Sequence, residues 1–295
     1  MGRFRPRRPR GRLTIGPTLS NSKHLLVIEP GGSKLRYWRD VWSYRELLAI
    51  LAWRDVAVRY KQAVLGSGWA IIRPLLTMLI FTFIFGVLAK LPSEGSTPYP
   101  LLVLAGMLPW LLFAGIMNEA SNSLINNAPL VGKIYFPRII IPVATCLVAL
   151  IDFVISIAIF VVMAAWYGFL PDWRVIFFPV FTLLALFVSM GPALLISALN
   201  VKYRDFRYIV PFMIQIGMYV TPVGFSSTIV PEKYQLAFSL NPMVGVIDAF
   251  RWSLLRGANP LDWVSLSISI GVALVMMLLG IAYFRGTEKT FADII

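Results

Sequence analysis

Cysteine and histidine are almost absent from this sequence of 295 residues, in which Cys146 and His24 are the only examples. A single cysteine excludes an internal disulfide and a cysteine-based metal site, and a single histidine excludes histidine clusters and triads. Cys146 lies within an apolar run, so we expect it to be a packing residue. Charged residues are also scarce at 14%, well below the roughly 25% of soluble domains. This composition is not that of an ordinary soluble protein.

The sequence also lacks the motifs of common catalytic and nucleotide-binding sites. No Gly-x-x-x-x-Gly-Lys-Ser/Thr phosphate loop occurs, and Gly31-Gly32-Ser33-Lys34 is too short to form one. Paired carboxylate motifs, His–Glu metal sets and nucleophile elbows are missing as well. We therefore expect no catalytic residue, no metal and no cofactor in this chain.

Long apolar runs, in contrast, are abundant. Hydrophobic residues make up 58% of the chain, and the mean hydropathy is +0.75. A run of about twenty apolar residues can cross a bilayer as a helix. The sequence therefore predicts an all-α polytopic membrane protein with six transmembrane helices, at about residues 69–88, 101–117, 139–167, 175–199, 209–224 and 263–284.

Positive charge is distributed unevenly over the predicted loops. The formal net charge is +13, and basic surfaces can bind nucleic acid, but retention of Lys and Arg on the cytoplasmic side explains the charge better. With both termini in the cytoplasm, the outer side keeps only five of the 27 Lys and Arg residues: Lys90, Arg174, Lys233, Arg251 and Arg256. No apolar segment follows Arg7-Arg8 closely, so we expect no cleaved signal peptide.

Two segments precede the first predicted span. Residues 1–36 are rich in arginine, and we expect a disordered basic cytoplasmic tail that is attracted to anionic lipids, with a dedicated partner site as the alternative. Residues 37–63 are predicted to form an amphipathic interface helix, the first element of a transmembrane domain that covers residues 37–295. Its charges lie on two sides, with Arg45, Asp55 and Arg59 on one and Arg54 and Lys61 on another. Charge on two sides indicates that the helix also faces protein or an aqueous cleft.

An elbow is expected between the interface helix and the first span. Gly66 and Gly68 allow the backbone to turn sharply, and Trp69 suits the depth of the lipid headgroups. Arg73 can extend back to the interface, and we expect Pro74 in the first turn of the span.

Residues 225–261 are apolar but interrupted by proline and charged residues. Asn241 is predicted to cap a helix of about four turns whose first residue is Pro242. We therefore expect an outer re-entrant helical hairpin between the fifth and sixth spans, sheltered by protein or lining a cavity.

A few polar and aromatic side chains in the predicted spans are candidate functional residues. Asp152 lies within the third span and Glu119 at the inner edge of the second, and ionisable groups at such depth are costly. A proton relay needs several such groups, so we expect Asp152 to be a satisfied structural carboxylate. Phe212, Tyr219 and Phe225 lie beside the predicted hairpin, where a packing role and a lining role are both open.

Several short motifs together resemble the membrane subunit of bacterial polysaccharide-exporting ABC transporters, the type 2 permeases. The similarity runs from about residue 40 to the end, and the motifs occur in the family's order. They are Arg59-Tyr60-Lys61-Gln62 with Leu65-Gly66, Trp69 and Pro74, then Lys133-Ile134-Tyr135-Phe136-Pro137-Arg138, Tyr203-Arg204-Asp205, and Asn241-Pro242 with Phe250-Arg251-Trp252.

This resemblance implies a homodimer in the bacterial inner membrane, with each subunit bound to a separate ABC ATPase that binds ATP and Mg²⁺. It implies ATPase-coupling contacts at Asn126, Pro129, Lys133, Tyr135, Pro137, Arg138, Arg204 and Asp205. A lateral opening for the pyrophosphate of a lipid-linked glycan would involve Arg54, Arg59, Lys61, Leu65 and Gly66. The channel would be lined by Phe212, Tyr219 and Phe225, and the outer gate would include Asn241, Pro242, Asp248 and Arg251.

The leading interpretation is thus a transport subunit, not an enzyme, for an undecaprenyl-pyrophosphate-linked polysaccharide such as O-antigen. The same family handles teichoic acids and capsules, and a related branch exports drugs. An ion-coupled carrier or lipid scramblase would need internal repeats or a chain of titratable groups. A membrane enzyme that transfers sugar phosphates would need clustered acidic metal ligands, which Asp205 alone does not supply.

Overall fold

A computed structural model of the protein describes residues 34–61 and 66–291, and all regular structure in these ranges is helical. Residues 1–33 of the predicted basic tail lie outside the described residues, as does Leu65 of the elbow.

The predicted interface helix is present as two helices, α1 (Lys34–Ser43) and α2 (Arg45–Lys61). Hydrogen bonds from Tyr44 N to Asp40 O (3.1 Å) and from Leu48 N to Tyr44 O (3.0 Å) carry the backbone across the junction. Leu51 and Ala52 of α2 are buried in a cluster with residues of the later helices. The single helix predicted over residues 37–63 is thus divided in two within the described residues, which the sequence did not indicate.

Five helical segments are long and apolar enough to cross a membrane: Gly68–Leu88, Tyr99–Asn126, Ile140–Trp166, Trp173–Lys202 and Trp263–Thr290. They correspond to the first four predicted spans and the last one. The first consists of α3 (Gly66–Phe81) and a π-helical end (Thr82–Leu88). The others contain α4 (Tyr99–Asn126), α6 (Ile140–Trp166), α7 (Phe178–Lys202) and α11 (Trp263–Thr287); α5 is the short helix Ala128–Lys133.

The predicted fifth span corresponds to α8 (Phe206–Val220), which is apolar but has only 15 residues. At a rise of about 1.5 Å per residue, a helix of this length covers about 22 Å, which is less than the roughly 30 Å of a bilayer core. The five longer helices are thus candidate spans by length and composition, whereas α8 is shorter than a full crossing.

Three local expectations need correction. The second span does not end near residue 117, because α4 continues to Asn126. Pro74 is not in the first turn, since α3 begins at Gly66 and the proline lies inside it. Pro179 and Pro192 are both expected to kink the fourth span. Pro179, however, lies in the first turn of α7, where the missing N–H does not disturb the helix, and only Pro192 is interior.

Helix α4 forms the centre of the bundle, with α6, α7 and α10 packed around it. Most of its residues are buried, including all ten from Leu101 to Trp110. The first span differs, since most of its side chains are exposed on the single chain. The chain thus builds a core around α4 and leaves apolar faces on its outer helices.

Two short helices follow α8, α9 (Glu232–Ser239) and α10 (Pro242–Leu254). The Asn241 side chain accepts a hydrogen bond from Met243 N (3.1 Å), which confirms the predicted cap and the start of the helix at Pro242. We call the end of the bundle that carries α9 the α9 end, and the end that carries α1, α2 and α5 the α5 end.

Candidate functional site

At the α5 end, Arg59 connects the interface helix α2 to two spans. Its guanidinium forms ion pairs with Glu119 of α4 (2.7 Å) and with Asp152 of α6 (2.6 Å). The Tyr60 hydroxyl also donates to Asp152. Asp152 is thus a satisfied carboxylate, as expected, but its partners belong to the interface helix, which the sequence did not reveal.

A cleft of about 450 Å³ lies beside this ion pair, lined by α2, α4 and α6. Arg54 lines it and bonds to Asp55 (2.6 Å), and its other contact is a hydrogen bond to Asn127 Oδ1 (2.7 Å). Charges on two sides of the helix predicted a protein or aqueous neighbour; α2 packs on α6 and also lines this cleft. Of the other residues predicted for this opening, Lys61 is exposed at the end of α2 and Gly66 begins α3.

The tyrosine hydroxyls at this end act as fixed donors. Burial, together with the hydrogen bond to Asp152, raises the pKa of Tyr60 above its usual value. Burial and the adjacent Glu288 raise the pKa of Tyr37 in the same direction. Both phenols therefore remain protonated at neutral pH and hold their carboxylate partners in place.

The segment after α4 presents a short exposed surface. Asn126, Pro129 and Lys133 are exposed, and Ile134 and Tyr135 follow with 53% and 66% of their surface accessible. Val131 and Phe136 are buried and fix this segment to the bundle, and the adjacent Pro137 is buried too. The second predicted contact, Arg204 and Asp205 between α7 and α8, is also exposed.

Glu288 holds three separate segments together at the α5 end. Its carboxylate accepts a hydrogen bond from Arg138 N (2.6 Å) and another from the Tyr37 hydroxyl (3.0 Å). The Arg138 side chain donates to the Glu288 carbonyl oxygen. Arg138 is therefore part of the internal framework, and Lys133 is the exposed cation of the loop. No pattern in the sequence indicates this role of Glu288.

A chain of aromatic rings runs from α8 towards the α9 end. The ring centroids are 5.9 Å apart for Tyr219–Phe81, 5.4 Å for Phe81–Phe85, 6.2 Å for Phe85–Phe225 and 6.5 Å for Phe225–Phe238. We call these five rings the aromatic row. Tyr219 and Phe225, which were predicted to line a channel, belong to it. Phe212 is exposed on α8, and within the described residues its ring is not part of the row.

At the α9 end, Arg251 fixes α10 to the chain that follows α8. Its Nη1 and Nη2 groups donate to the carbonyl oxygens of Phe225 (2.8 Å) and Val223 (3.0 Å), and Glu94 lies 3.7 Å from Nη1. The Asn241 side chain donates to Thr221 Oγ1 (2.9 Å) in the same segment. The predicted gate residues are thus close together, but sequence reasoning missed Glu94.

In the parts of the chain that the structure describes, no group of three or more His, Cys, Asp or Glu side chains could hold a metal ion. The site instead consists of ion pairs between helices, an exposed loop and the aromatic row. Such features suit the binding of partners and the movement of helices rather than catalysis.

Comparison with known proteins identifies the family. The chain is 28% identical to an O-antigen export system permease protein of Myxococcus xanthus over 88% of this chain and 99% of that protein. It is also 28% identical to the corresponding Klebsiella pneumoniae permease over 85% of this chain and 95% of that protein. A polysialic acid transport protein of Escherichia coli is 24% identical over 80% of this chain and 91% of that protein. The family profile described as ABC-2 type transporter matches residues 46–255, and the chain therefore belongs to the ABC-2 type transporter family.

Proposed function

We propose that this chain is the transmembrane subunit of an ATP-driven exporter that moves a polysaccharide linked to undecaprenyl pyrophosphate across the bacterial inner membrane. The observation that carries the proposal is the match over nearly the whole length of permeases named for O-antigen export. The family assignment supports it. So do the short sequence motifs, which follow one another along the chain in the order that the family has.

The proposed topology has six crossings with both termini in the cytoplasm. The five long helices supply five of them, and α8 with the following residues 221–226 supplies a short fifth crossing. Helices α9 and α10 then form the outer hairpin, so the α5 end is cytoplasmic. The excess of Lys and Arg in the loops of the α5 end supports this orientation.

The exposed loop from Asn126 to Tyr135 is the proposed contact with the ATPase subunit. Two exposed apolar side chains, Ile134 and Tyr135, stand beside the exposed cation Lys133, which is a composition suited to a protein partner. Arg204 and Asp205 provide the second contact. Arg54 links α2 directly to this loop through Asn127, so movement of either one is transmitted to the other.

The proposed lateral opening is the cleft beside α2. Arg54 and Arg59 face a pyrophosphate there, and an arginine fork binds phosphate oxygens in pairs. Both guanidiniums already bind carboxylates, so the pyrophosphate competes with Asp55, Glu119 and Asp152 for them. Substrate binding then loosens α2 from the bundle.

The aromatic row is the proposed sugar path, with Phe212 as an additional ring on α8. Ring faces contact the apolar faces of sugars and tolerate repeating units. The exposed apolar faces of the first span and of α8 lie beside the row, and a second copy of the chain would cover them in the proposed homodimer. A charged polymer is a second candidate substrate, because one relative is named for transport of polysialic acid.

The experiment that tests the proposal is co-purification of the tagged full chain with an ATPase from native membranes. We expect Lys133→Glu to reduce both the retained ATPase and its activity, because the exposed cation of the loop is reversed. Lys233→Glu is the matched control, since it makes the same change at an exposed position of the α9 end.

Wild-type chain that retains an ATPase with a phosphate loop, together with a selective loss in Lys133→Glu, supports the proposal. A chain that is isolated without any ATPase, and that moves glycan lipid without ATP, contradicts it. Equal retention by both variants contradicts the assignment of the loop.

A further inference from the structure

A small polar pocket lies at the α9 end, between α9, α10 and the first turn of α11. Its volume is about 210 Å³, and its walls include Gln235 and Phe238 of α9, Asp248 and Trp252 of α10, and Ser265 of α11. We call this space the α9 pocket. It is separated from the cleft beside α2 by the length of the bundle.

The charges around the α9 pocket favour neutral or cationic ligands over phosphates. The carboxylates of Glu94, Asp248 and Asp262 line it, and Arg251 is the one cation in the lining. Three formal negative charges against one positive charge repel an anion. Carboxylates accept strong hydrogen bonds from hydroxyl groups.

Two buried polar atoms at the pocket have no protein partner among the described residues. Arg251 is only 1% exposed, and its Nη1 and Nη2 groups are held by backbone carbonyls, yet its Nε has no acceptor. The Ser265 hydroxyl is buried and equally without a partner. Buried polar groups are normally satisfied, so two polar groups in the wall of this pocket are left over after the protein's own contacts are made.

The pocket also lies at the end of the aromatic row. Phe238 is the last ring of the row and at the same time a wall of the pocket, and Trp252 adds a second ring. Sugar hydroxyls both donate and accept, whereas sugar C–H faces pack on rings. Carboxylates and ring surfaces in one small space match hydroxyl groups that donate and C–H faces that pack.

We propose that the α9 pocket binds one neutral sugar unit of the polymer as it leaves the aromatic row. Asp248 accepts from the sugar hydroxyls, and Phe238 packs against the ring. This inference rests on the proposed export function and adds an outer binding site to it. Such a site holds the leading end of the polymer and disfavours its return.

The test is NMR titration of the full chain in lipid nanodiscs with methyl α-mannoside, methyl β-galactoside and N-acetylglucosamine, each read by saturation transfer. Asp248→Asn keeps the shape of the side chain and removes its charge. Gln235→Trp fills the pocket from the exposed side of α9, which leaves the core unchanged. Asp40→Asn, at an exposed position of α1, is the matched control.

We expect at least one glycoside to bind the wild type and Asp40→Asn equally, with Kd raised about tenfold in Asp248→Asn, since one charge-assisted hydrogen bond is lost. Gln235→Trp should abolish binding. The absence of saturation transfer from any glycoside to the wild type overturns the proposal, as does equal Kd in all four proteins. Binding of calcium or tetramethylammonium in place of glycosides overturns the ligand class.

These outcomes are distinguishable from failure of the export function. Retention of the ATPase tests the loop from Asn126 to Tyr135, which lies at the opposite end of the molecule. It does not depend on the α9 pocket. A chain that retains the ATPase but binds no glycoside keeps the proposed function and loses only the outer site.

Discussion

At the scale of single residues, Arg59 shows how one side chain joins elements that are distant in the sequence. Its partners Glu119 and Asp152 belong to different spans, and their carboxylates are brought together only by the packing of α4 against α6. Asp152 was conspicuous in the sequence because an ionisable side chain inside a predicted span is energetically costly. Its partner Arg59 could not be deduced, because the pairing depends on tertiary structure and leaves no periodic pattern in the sequence.

A double-mutant cycle with Arg59→Gln and Asp152→Asn measures this pair. We expect a coupling energy of about 1 kcal/mol in thermal unfolding in detergent, since 39% of the Arg59 side chain is exposed and solvent weakens the attraction. Asp40→Asn again serves as the control, with little expected change. A coupling energy near zero would show that Arg59 contributes nothing to docking α2 on α6.

At the scale of elements, α7 and α11 approach each other closely where two glycines face the partner helix. A Cβ added to Gly191 would lie 2.5 Å from Met277 N and 2.6 Å from Met276 C, both backbone atoms. A Cβ on Gly280 would contact the carbonyl of Gly191. Backbone atoms cannot move aside as side chains do, so only glycine permits this crossing.

We expect Gly191→Ala to lower stability by about 1–3 kcal/mol, because the two helices have to separate. Gly271→Ala is a control on α11, where an added Cβ meets nothing within 4 Å and helix propensity favours alanine. The unfolding temperature in detergent should fall in the first variant and remain or rise in the second. Equal effects would contradict the packing argument.

The elements also show what sequence alone predicts in such a chain. Long apolar runs define spans in one dimension, so the bounds of α6 and α11 were close to those expected. The extension of α4 to Asn126 was missed because the last residues of the helix are polar. Their hydrogen bonds come partly from other helices, as when the Asn200 side chain donates to Ser121 O (2.7 Å). The same limit applies to the aromatic row, in which Phe81 and Phe85 carried no signal for their facing rings.

At the scale of the whole molecule, the two ends have different chemistry. The α5 end has ion pairs and an exposed loop, the α9 end has a polar pocket, and the aromatic row lies on the way to that pocket. A transport cycle needs such a division, since energy supply and polymer release take place on opposite sides of a membrane.

Export should therefore respond to the rings of the row. We expect Tyr219→Ala or Phe225→Ala to slow the appearance of polymer on the cell surface roughly two- to tenfold, the effect of one lost ring contact. Leu183→Ala, on an exposed apolar position of α7, is the control. Retention of the ATPase should be unchanged in all three. Normal export from Phe225→Ala would remove that ring from the path.

The position of Glu288 near the end of the described residues determines when its contacts can form during translation. Its partners Arg138 and Tyr37 precede it by 150 and 251 residues, so the ribosome adds Glu288 long after both. At about 5–20 residues per second, the loop before Arg138 waits roughly 8–30 s for its final contact. Helices α3, α4, α6, α7 and α11 have been translated by then. The proposed docking surface therefore matures last, and a nascent chain cannot present it in final form to an ATPase before its membrane part is made.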